Sequence, residues 1–408
     1  MHNKKNKINV LILAANFAPS GSVGAKRFSF LSKKLHNKNC NLYILTIKEK
    51  YYRHKDYSIP YGGFINRTIM IPPYPIDGNN FFKRMFKSIW LRYLYLLDPY
   101  SGWILPSFLK GLSIIRKNEI DVILVTGPPF SHVLSAYLLS QIGRTKFIID
   151  YRDPWTAHPW EGRYTSLFSK KINDLTEKLI IKKANTLVFT TEIMKNNTLK
   201  YFKKNISADL HVISNGFQST RKVKPLLLEE NKKVILYAGK FYGDRKLSFL
   251  GNALIKLINN NEIDKNSIRF HIFGTLKLKD KEYFRELNLI ELIYEHQMVD
   301  YHTMLRYMSA ADVLLLLSGM NVKYAIPYKF YDYISVKRPI LALAPKDSAV
   351  ENLMIELDCG EICHFNNTHS IETALRNILV LKRNYTFSGI ENYHWDSIAQ
   401  KYEHVLCS

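Results

Sequence analysis

Short apolar runs separated by amphipathic segments recur along the whole chain, and that alternation restricts the fold more than any other feature. Ile8 to Ala15, Asn41 to Ile47, Val122 to Thr126, Phe147 to Tyr151 and Thr186 to Thr190 read as strands. Lys26 to His36 and Ser131 to Ile142 carry helical spacing and would cover the sheet faces. Strands alternating with helices mean a parallel α/β architecture. After Lys222 to Lys233, a charged stretch with one proline that reads as a linker, a second series follows: Val234 to Ala238, Ile268 to Phe273, Val313 to Leu317 and Ile340 to Ala344. Two α/β units joined near residue 220 fit a length of 408 residues. A hydrophobic content of 47% supplies two cores and excludes a disordered basic chain.

The formal charge of +23 is unevenly placed. Residues 1 to 220 hold 33 basic and 13 acidic side chains, a net of +20, whereas residues 221 to 408 hold 25 and 22, a net of +3. A bias in base composition would load both halves alike, so the asymmetry favours a functional cause. Phe81 to Leu97 places apolar residues on one helical stripe, with Lys83, Arg84 and Lys87 off it. Such a helix either lies on an anionic bilayer or packs on the core with a solvated basic first turn.

Targeting and redox signals are weak. Met1 to Lys7 is basic and Ile8 to Ala18 apolar, but the run continues without an A-x-A site into the loop Pro19 to Gly24, the turn after a first strand. No 18 consecutive apolar residues occur, so no membrane-spanning helix is expected. Cys40, Cys359, Cys363 and Cys407 are too few and too scattered for a disulfide scaffold, which points to a reducing compartment. Cys359 and Cys363 lack a second ligand pair at metal spacing and read as packing residues beside Gly360.

Several site motifs are missing. No G-x-x-x-x-G-K-[ST], G-x-S-x-G or H-E-x-x-H is present, and no two aspartates stand at i, i+2, so no D-x-D clamp is available to hold a metal on a nucleotide diphosphate. The loop from Gly21 through Gly24 follows a strand and opens a helix, where small residues let a phosphate or sugar approach backbone N–H groups. It is not G-x-G-x-x-G, and the second strand ends in Thr46-Ile-Lys48 without an acid for a ribose, which argues against a nicotinamide dinucleotide. His132, just beyond the strand that ends near Thr126, reads equally as a structural or a functional histidine.

Taken in order, these residues resemble the bacterial GT-B glycosyltransferases of the family 4 type, over essentially the whole chain. The resemblance is carried by Leu11 to Lys26, Asp98 to Trp103 (DPYSGW), Asp121 to His132 (DVILVTGPPFSH), Ile149 to Trp155 (IDYRDPW), Ala184 to Thr186 and Ile213 to Phe217 in the first half. In the second half it is carried by Tyr237 to Lys246, His271 to Gly274, Ser309 to Leu316 and Ile326 to Ile334, which is similar to P-x-K-x-[FY]-[DE]-Y. It implies two Rossmann-like doubly wound domains facing a central cleft, with a C-terminal helix, Trp395 to Leu406, crossing back. Residues 1–220 plus 386–408 would form the acceptor side and residues 221–385 the nucleotide-sugar side.

The implied donor contacts are Gly21, Gly24, Gly239, Arg245, Lys246, Gly274, Lys329, Tyr331 and Asp332. A diphosphate leaving a sugar develops negative charge that fixed cations must stabilise. Arg245 and Lys246 form the implied clamp, with the contact open between the two; Lys329 is a third candidate, and Asp332 would hold the ribose hydroxyls. Arg152, Asp153 and His132 complete the catalytic candidates. Transfer would proceed with retention, without metal or cofactor, the nucleotide-diphosphate sugar being a co-substrate. The acceptor would be lipid-linked or polysaccharide, for surface polysaccharides such as capsule or lipopolysaccharide. The chain would be cytoplasmic and peripheral on an anionic membrane, with no nucleic-acid partner.

The chain also departs from that pattern. The first acid of E-x7-E is Tyr324, and the usual histidine after the fourth strand is replaced by Arg152-Asp153. Lys337 stands where glycine is common. A nucleotide-sugar epimerase or hydrolase on the same fold, or a silent scaffold of a polysaccharide assembly complex, are the rival readings.

Overall fold

The computed structural model describes residues 7–36, 38, 40–71, 96–158, 164, 166–220, 223–241, 243–365 and 367–408. Phe81 to Leu97, the candidate membrane helix, lies outside the described residues up to position 95. The chain forms two compact units, one of Met1–Ser214 with Trp395–Ser408, the other of Asn215–His394.

The first unit is built on a seven-stranded sheet in the order β3-β2-β1-β4-β5-β6-β7. Its strands are β1 Ile8–Leu13, β2 Cys40–Ile47, β3 Phe64–Thr68, β4 Val122–Gly127, β5 Lys146–Tyr151, β6 Thr186–Phe189 and β7 Asp209–Val212. Every pairing is parallel, with Leu13 beside Leu45 on one side and Val125 on the other. Helices α1 Val23–His36, α2 Ile104–Lys117, α3 Ser131–Gly143, α4 Leu167–Ile181 and α5 Glu192–Tyr201 connect them. Val10 to Leu13 and Ile123 to Val125 are fully buried. Strands covered on both faces have no wet side, so their sequence is a continuous apolar run instead of an alternation.

The second unit repeats the plan with six parallel strands, β10-β9-β8-β11-β12-β13. They are β8 Lys233–Ala238, β9 Ile268–Phe273, β10 Ile293–His296, β11 Val313–Leu317, β12 Ile340–Leu343 and β13 Gly360–Cys363. The helices are α6 Gly251–Asn259, α7 Leu278–Glu286, α8 Tyr301–Ala310, α9 Tyr328–Ser335, α10 Ala349–Leu357 and α11 Thr368–Leu375. Cys363 packs in the core of this unit, and at Gly360, with φ +154°, a side chain would strike the Ile340 carbonyl. These contacts account for the Cys359 to Cys363 stretch as packing. Both units are therefore doubly wound parallel α/β sheets. In each, strand order reverses once, between β1 and β4 and between β8 and β11, where open α/β sheets leave a crevice at the strand ends.

The last helix, α12 Trp395–Cys407, belongs to the first unit. It buries Trp395, Ile398, Ala399, Tyr402, Val405 and Leu406, one stripe at helical spacing. Trp395 stacks on Phe30 with ring centroids 5.8 Å apart, and Lys34 of α1 and Lys38 just after it pair with Asp396 and Glu403 at 2.7 Å. Among the described residues, no helix is long and apolar enough to cross a membrane.

Candidate functional site

The second unit's cluster starts from two glycines at adjacent strand ends. Gly239, after β8, has φ +131°, and a Cβ there would lie 2.9 Å from Lys329 Nζ. Gly274, after β9, approaches the Gly239 carbonyl so closely that any side chain would collide with it. The space the glycines leave is filled by Lys329, from the first turn of α9. Its ammonium lies 3.9 Å from the centre of the Tyr237 ring, is buried, and has no hydrogen-bond partner. Burial, and then the charge of Arg245, hold its pKa well below the ordinary lysine value. Two cations are thus brought together at strand ends, an arrangement that an anion would stabilise.

The residues around this pair are ordered by packing. Arg245 is 8% exposed, and the preceding Asp244 accepts from the Met320 amide at 2.5 Å, tying its loop to the segment after β11. Asp332 is 4% exposed and accepts from the Tyr301 hydroxyl at 2.8 Å. Tyr331 is buried with its ring near Phe330 and Tyr393. Tyr333 crosses beneath, its hydroxyl accepting from the Ala238 amide and donating to the Leu315 carbonyl, both at 3.2 Å. Gly239, Arg245, Gly274 and Lys329 are therefore brought together, with Asp332 and Tyr331 on the helix that carries Lys329. Lys246 is exposed and lines a different cavity, with Lys277, Lys279 and Tyr283. Tyr237 and Tyr301 were not singled out in the sequence, since nothing local marks an aromatic as the seat of a lysine or the partner of a carboxylate.

The first unit gathers its candidates at the ends of β1, β4 and β5. Arg152 follows β5, and its guanidinium donates to the Gly24 carbonyl at the start of α1 and, at 3.4 Å, to the Gly127 carbonyl. A Cβ on Gly24 would lie 2.6 Å from Arg152 Nη1, so this glycine makes room for an arginine. Gly21 has an ordinary environment in which an added Cβ meets nothing closer than 3.6 Å. Burial lowers the Arg152 pKa, and Asp150 and Asp153 oppose that effect. His132 is completely buried, 5.1 Å from the Trp103 ring by centroids, with the backbone of Leu13 and Thr126 beside its ring. Burial first, then Arg152, push its pKa down to about 3, so the ring is neutral.

Other motif residues turn out to hold the frame. Asp98 of DPYSGW accepts from the Phe130 and Ser131 amides at 2.6 and 2.8 Å and so caps α3. Trp103 donates to Thr68 Oγ1 at 2.6 Å. Asp150 is the centre of a buried network that the sequence did not reveal. Arg27 Nη2 donates to it at 2.8 Å and to Tyr402 Oη at 2.9 Å, Tyr402 donates to it, and Thr126 donates at 2.9 Å. Arg27 also donates to the Ile213 and Ser214 carbonyls at 2.7 Å.

No family model and no curated protein matches the sequence. Solved structures do match. Sucrose-phosphate synthase from Thermosynechococcus elongatus aligns at 13% identity over 98% of each chain, with a TM-score of 0.66. The Anabaena HepE protein in complex with UDP and glucose aligns at 12% identity over 98% of this chain and 99% of its own, with a TM-score of 0.63. The fold is GT-B. The lipopolysaccharide outer core galactosyltransferase WaaB aligns over 98% and 99% of the two chains at 14% identity and a TM-score of 0.57. At such identities the likeness is one of fold. In this GT-B chain both candidate clusters lie at strand ends flanking the points where strand order reverses.

Proposed function

We propose that this protein is a glycosyltransferase that moves a sugar from a nucleotide diphosphate to a lipid-linked or polysaccharide acceptor. The observation that carries this reading is the buried, unbonded ammonium of Lys329 beside Arg245. A diphosphate placed there would satisfy the ammonium in the ground state and be stabilised further as negative charge builds on the departing β-phosphate. Asp332 would accept from a ribose hydroxyl while Tyr301 fixes its orientation. Uridine is the first base to test, because HepE is described in complex with UDP and with UDP-glucose.

The reaction we propose retains configuration. The acceptor oxygen bonds to the anomeric carbon as the carbon–phosphate oxygen bond breaks, and the acceptor proton passes to that phosphate oxygen. No protein base is then required, which suits a site whose charged groups are mainly cations. A role in capsule or lipopolysaccharide synthesis fits the likeness to WaaB and the +20 charge of residues 1 to 220, the side proposed to meet the acceptor and an anionic membrane. On that unit α4 exposes Phe168, Leu175 and Leu179 alongside the exposed Lys171, Lys178 and Lys182.

The test is to incubate the full chain with UDP-, GDP- and dTDP-sugars and a lipid-diphosphate acceptor. Acceptor-dependent release of a nucleoside diphosphate is expected. Release at the same rate without acceptor would favour a hydrolase, and neither binding nor release of any nucleotide would overturn the reading.

A further inference from the structure

Helix α4 buries polar side chains and exposes apolar ones. Ser169, Asn173 and Glu177 recur every fourth position, on one face, and are at most 3% exposed. Phe168, Leu175 and Leu179 are more than half exposed. The fully buried apolar side chains of the helix, Ile180 and Ile181, stand only in its last turn. Over most of its length the buried face is therefore held by hydrogen bonds and not by apolar area.

Those bonds go to loops at strand ends. Ser169 Oγ and Asn173 Nδ2 donate to the Leu96 carbonyl at 2.5 and 2.9 Å, just before Asp98. Asn173 Oδ1 accepts from the Trp155 indole N–H at 2.7 Å. Glu177 Oε2 accepts from the Thr156 amide at 2.8 Å and from the Thr156 hydroxyl. Trp155 in turn lies flat on Phe130, with centroids 5.0 Å apart and planes within 4°. Arg152 and Asp153 open this loop directly after β5, where Thr190 Oγ1 donates to the Arg152 carbonyl at 3.4 Å. Two side chains of α4 thus fix the far end of the loop that carries the catalytic candidates of the first unit.

Glu177 is the unusual member. Its carboxyl is 1% exposed, and among the described residues no cation pairs with it. The groups around it are the Tyr151 hydroxyl on β5, Thr156 on the loop, Asp174 on α4 and Tyr201 on α5. Burial pushes Glu177 up to about 7 and raises both tyrosines, which stay neutral at that pH. A carboxylate accepts from Thr156 about twice as strongly as the protonated acid does, because its hydrogen bonds are charge-assisted.

We propose that Glu177 is a positioning residue for the loop of Arg152 and Asp153: its carboxylate clamps Thr156, and taking up a proton slackens the clamp. The proposal rests on the glycosyltransferase reading in that the loop serves that reaction. The experiment measures acceptor-dependent transfer by the full chain against pH, using whichever of the UDP-, GDP- and dTDP-sugars is consumed fastest. It also follows the fluorine resonance of Trp155 in protein labelled with fluorotryptophan, assigned with Trp155→Phe.

Between pH 6 and 8, kcat should rise about tenfold, as the ionised fraction of a group titrating near 7 does. KM for the nucleotide sugar, held by the second unit, should stay level. Glu177→Gln keeps an uncharged acceptor for Thr156, so its kcat should be flat at about the wild-type value of pH 6, with KM unchanged. Tyr151→Phe removes a donor to the carboxylate and should move the midpoint up by about one pH unit. The Trp155 resonance should titrate with the same midpoint in the wild type and stand still in Glu177→Gln. A level wild-type kcat, or a Glu177→Gln variant with the wild-type profile, would overturn the proposal. A wild type that transfers at no pH would sink the glycosyltransferase reading instead; the Trp155 resonance then judges the clamp alone, and its failure to titrate overturns it.

Discussion

Taking an ammonium out of water without an anion beside it opposes folding, so Lys329 should weaken the unliganded protein. Lys329→Met keeps the stem packed against Tyr237 and removes the charge; it should raise unfolding stability by about 1–2 kcal/mol while lowering UDP affinity at least about tenfold. Urea unfolding and UDP titration on the same variant check both; a loss of stability would show that the lysine has a structural role. Two other buried groups respond to pH with opposite sign. Burial raises the Glu177 pKa from 4.5 to about 7, against the pull of its bonds from Thr156. Glu177 therefore favours the fold below 4.5 and loses that contribution as pH rises to 7. His132, lowered from 6.5 to about 3, contributes above 6.5 and loses its share as pH falls. The slopes oppose each other between 4.5 and 6.5, each up to about 1.4 kcal/mol per pH unit. Glu177→Gln should remove the opposing slope, so that stability climbs more steeply with pH across that window than it does in the wild type, where the lowered His132 and His271 outweigh it. Lys329 and Asp332 are singled out in the sequence because a local motif marks them. Arg245 and Lys246 stay open there, since adjacent residues differ only in the side of the loop they face.

The same contrast holds for whole elements. Runs such as Val122 to Thr126 and Val313 to Leu317 were legible as strands because helices cover both faces, so every position is buried and nearly all are apolar. The four strands absent from the sequence reading, β3, β7, β10 and β13, are the four sheet edges. Their positions are mostly exposed or half-buried, as in the DLHV of β7, so no apolar run forms. Long-range polar networks were equally invisible. Arg27 and Asp150 are 123 positions apart, and Asp150 and Tyr402 are 252 apart, so no spacing rule could pair them. That network fixes α12 to the first unit. Tyr402→Phe removes one donor to a buried carboxylate and one acceptor from a buried guanidinium and should cost about 1.5–3 kcal/mol. Asp150→Ala, which strands Arg27 in the interior, should cost about 3–5 kcal/mol. Denaturant unfolding that ranks Tyr402→Phe as the more damaging change would place the weight of α12 on its hydroxyl alone and not on the ion pair.

At the scale of the whole molecule, what remains is the charge. A net +20 on residues 1 to 220 is a long-range field rather than a set of contacts, and exposed lysines beside exposed apolar side chains on α4 give it a place to act. Each lysine near an anionic bilayer is worth about 1 kcal/mol. Replacing Lys171, Lys178 and Lys182 with alanine should therefore weaken binding of the full chain to phosphatidylglycerol vesicles about a hundredfold. Replacing Lys346 and Lys382, two exposed lysines of the second unit, should leave binding nearly unchanged. Binding should fall steeply as salt shortens the screening length and be weak on neutral phosphatidylcholine vesicles. Equal losses from the two sets of substitutions would mean that the asymmetry in charge does not direct the molecule to a membrane. A loss confined to the α4 set, with acceptor-independent nucleotide binding intact, would assign the basic unit to the surface on which the acceptor is presented.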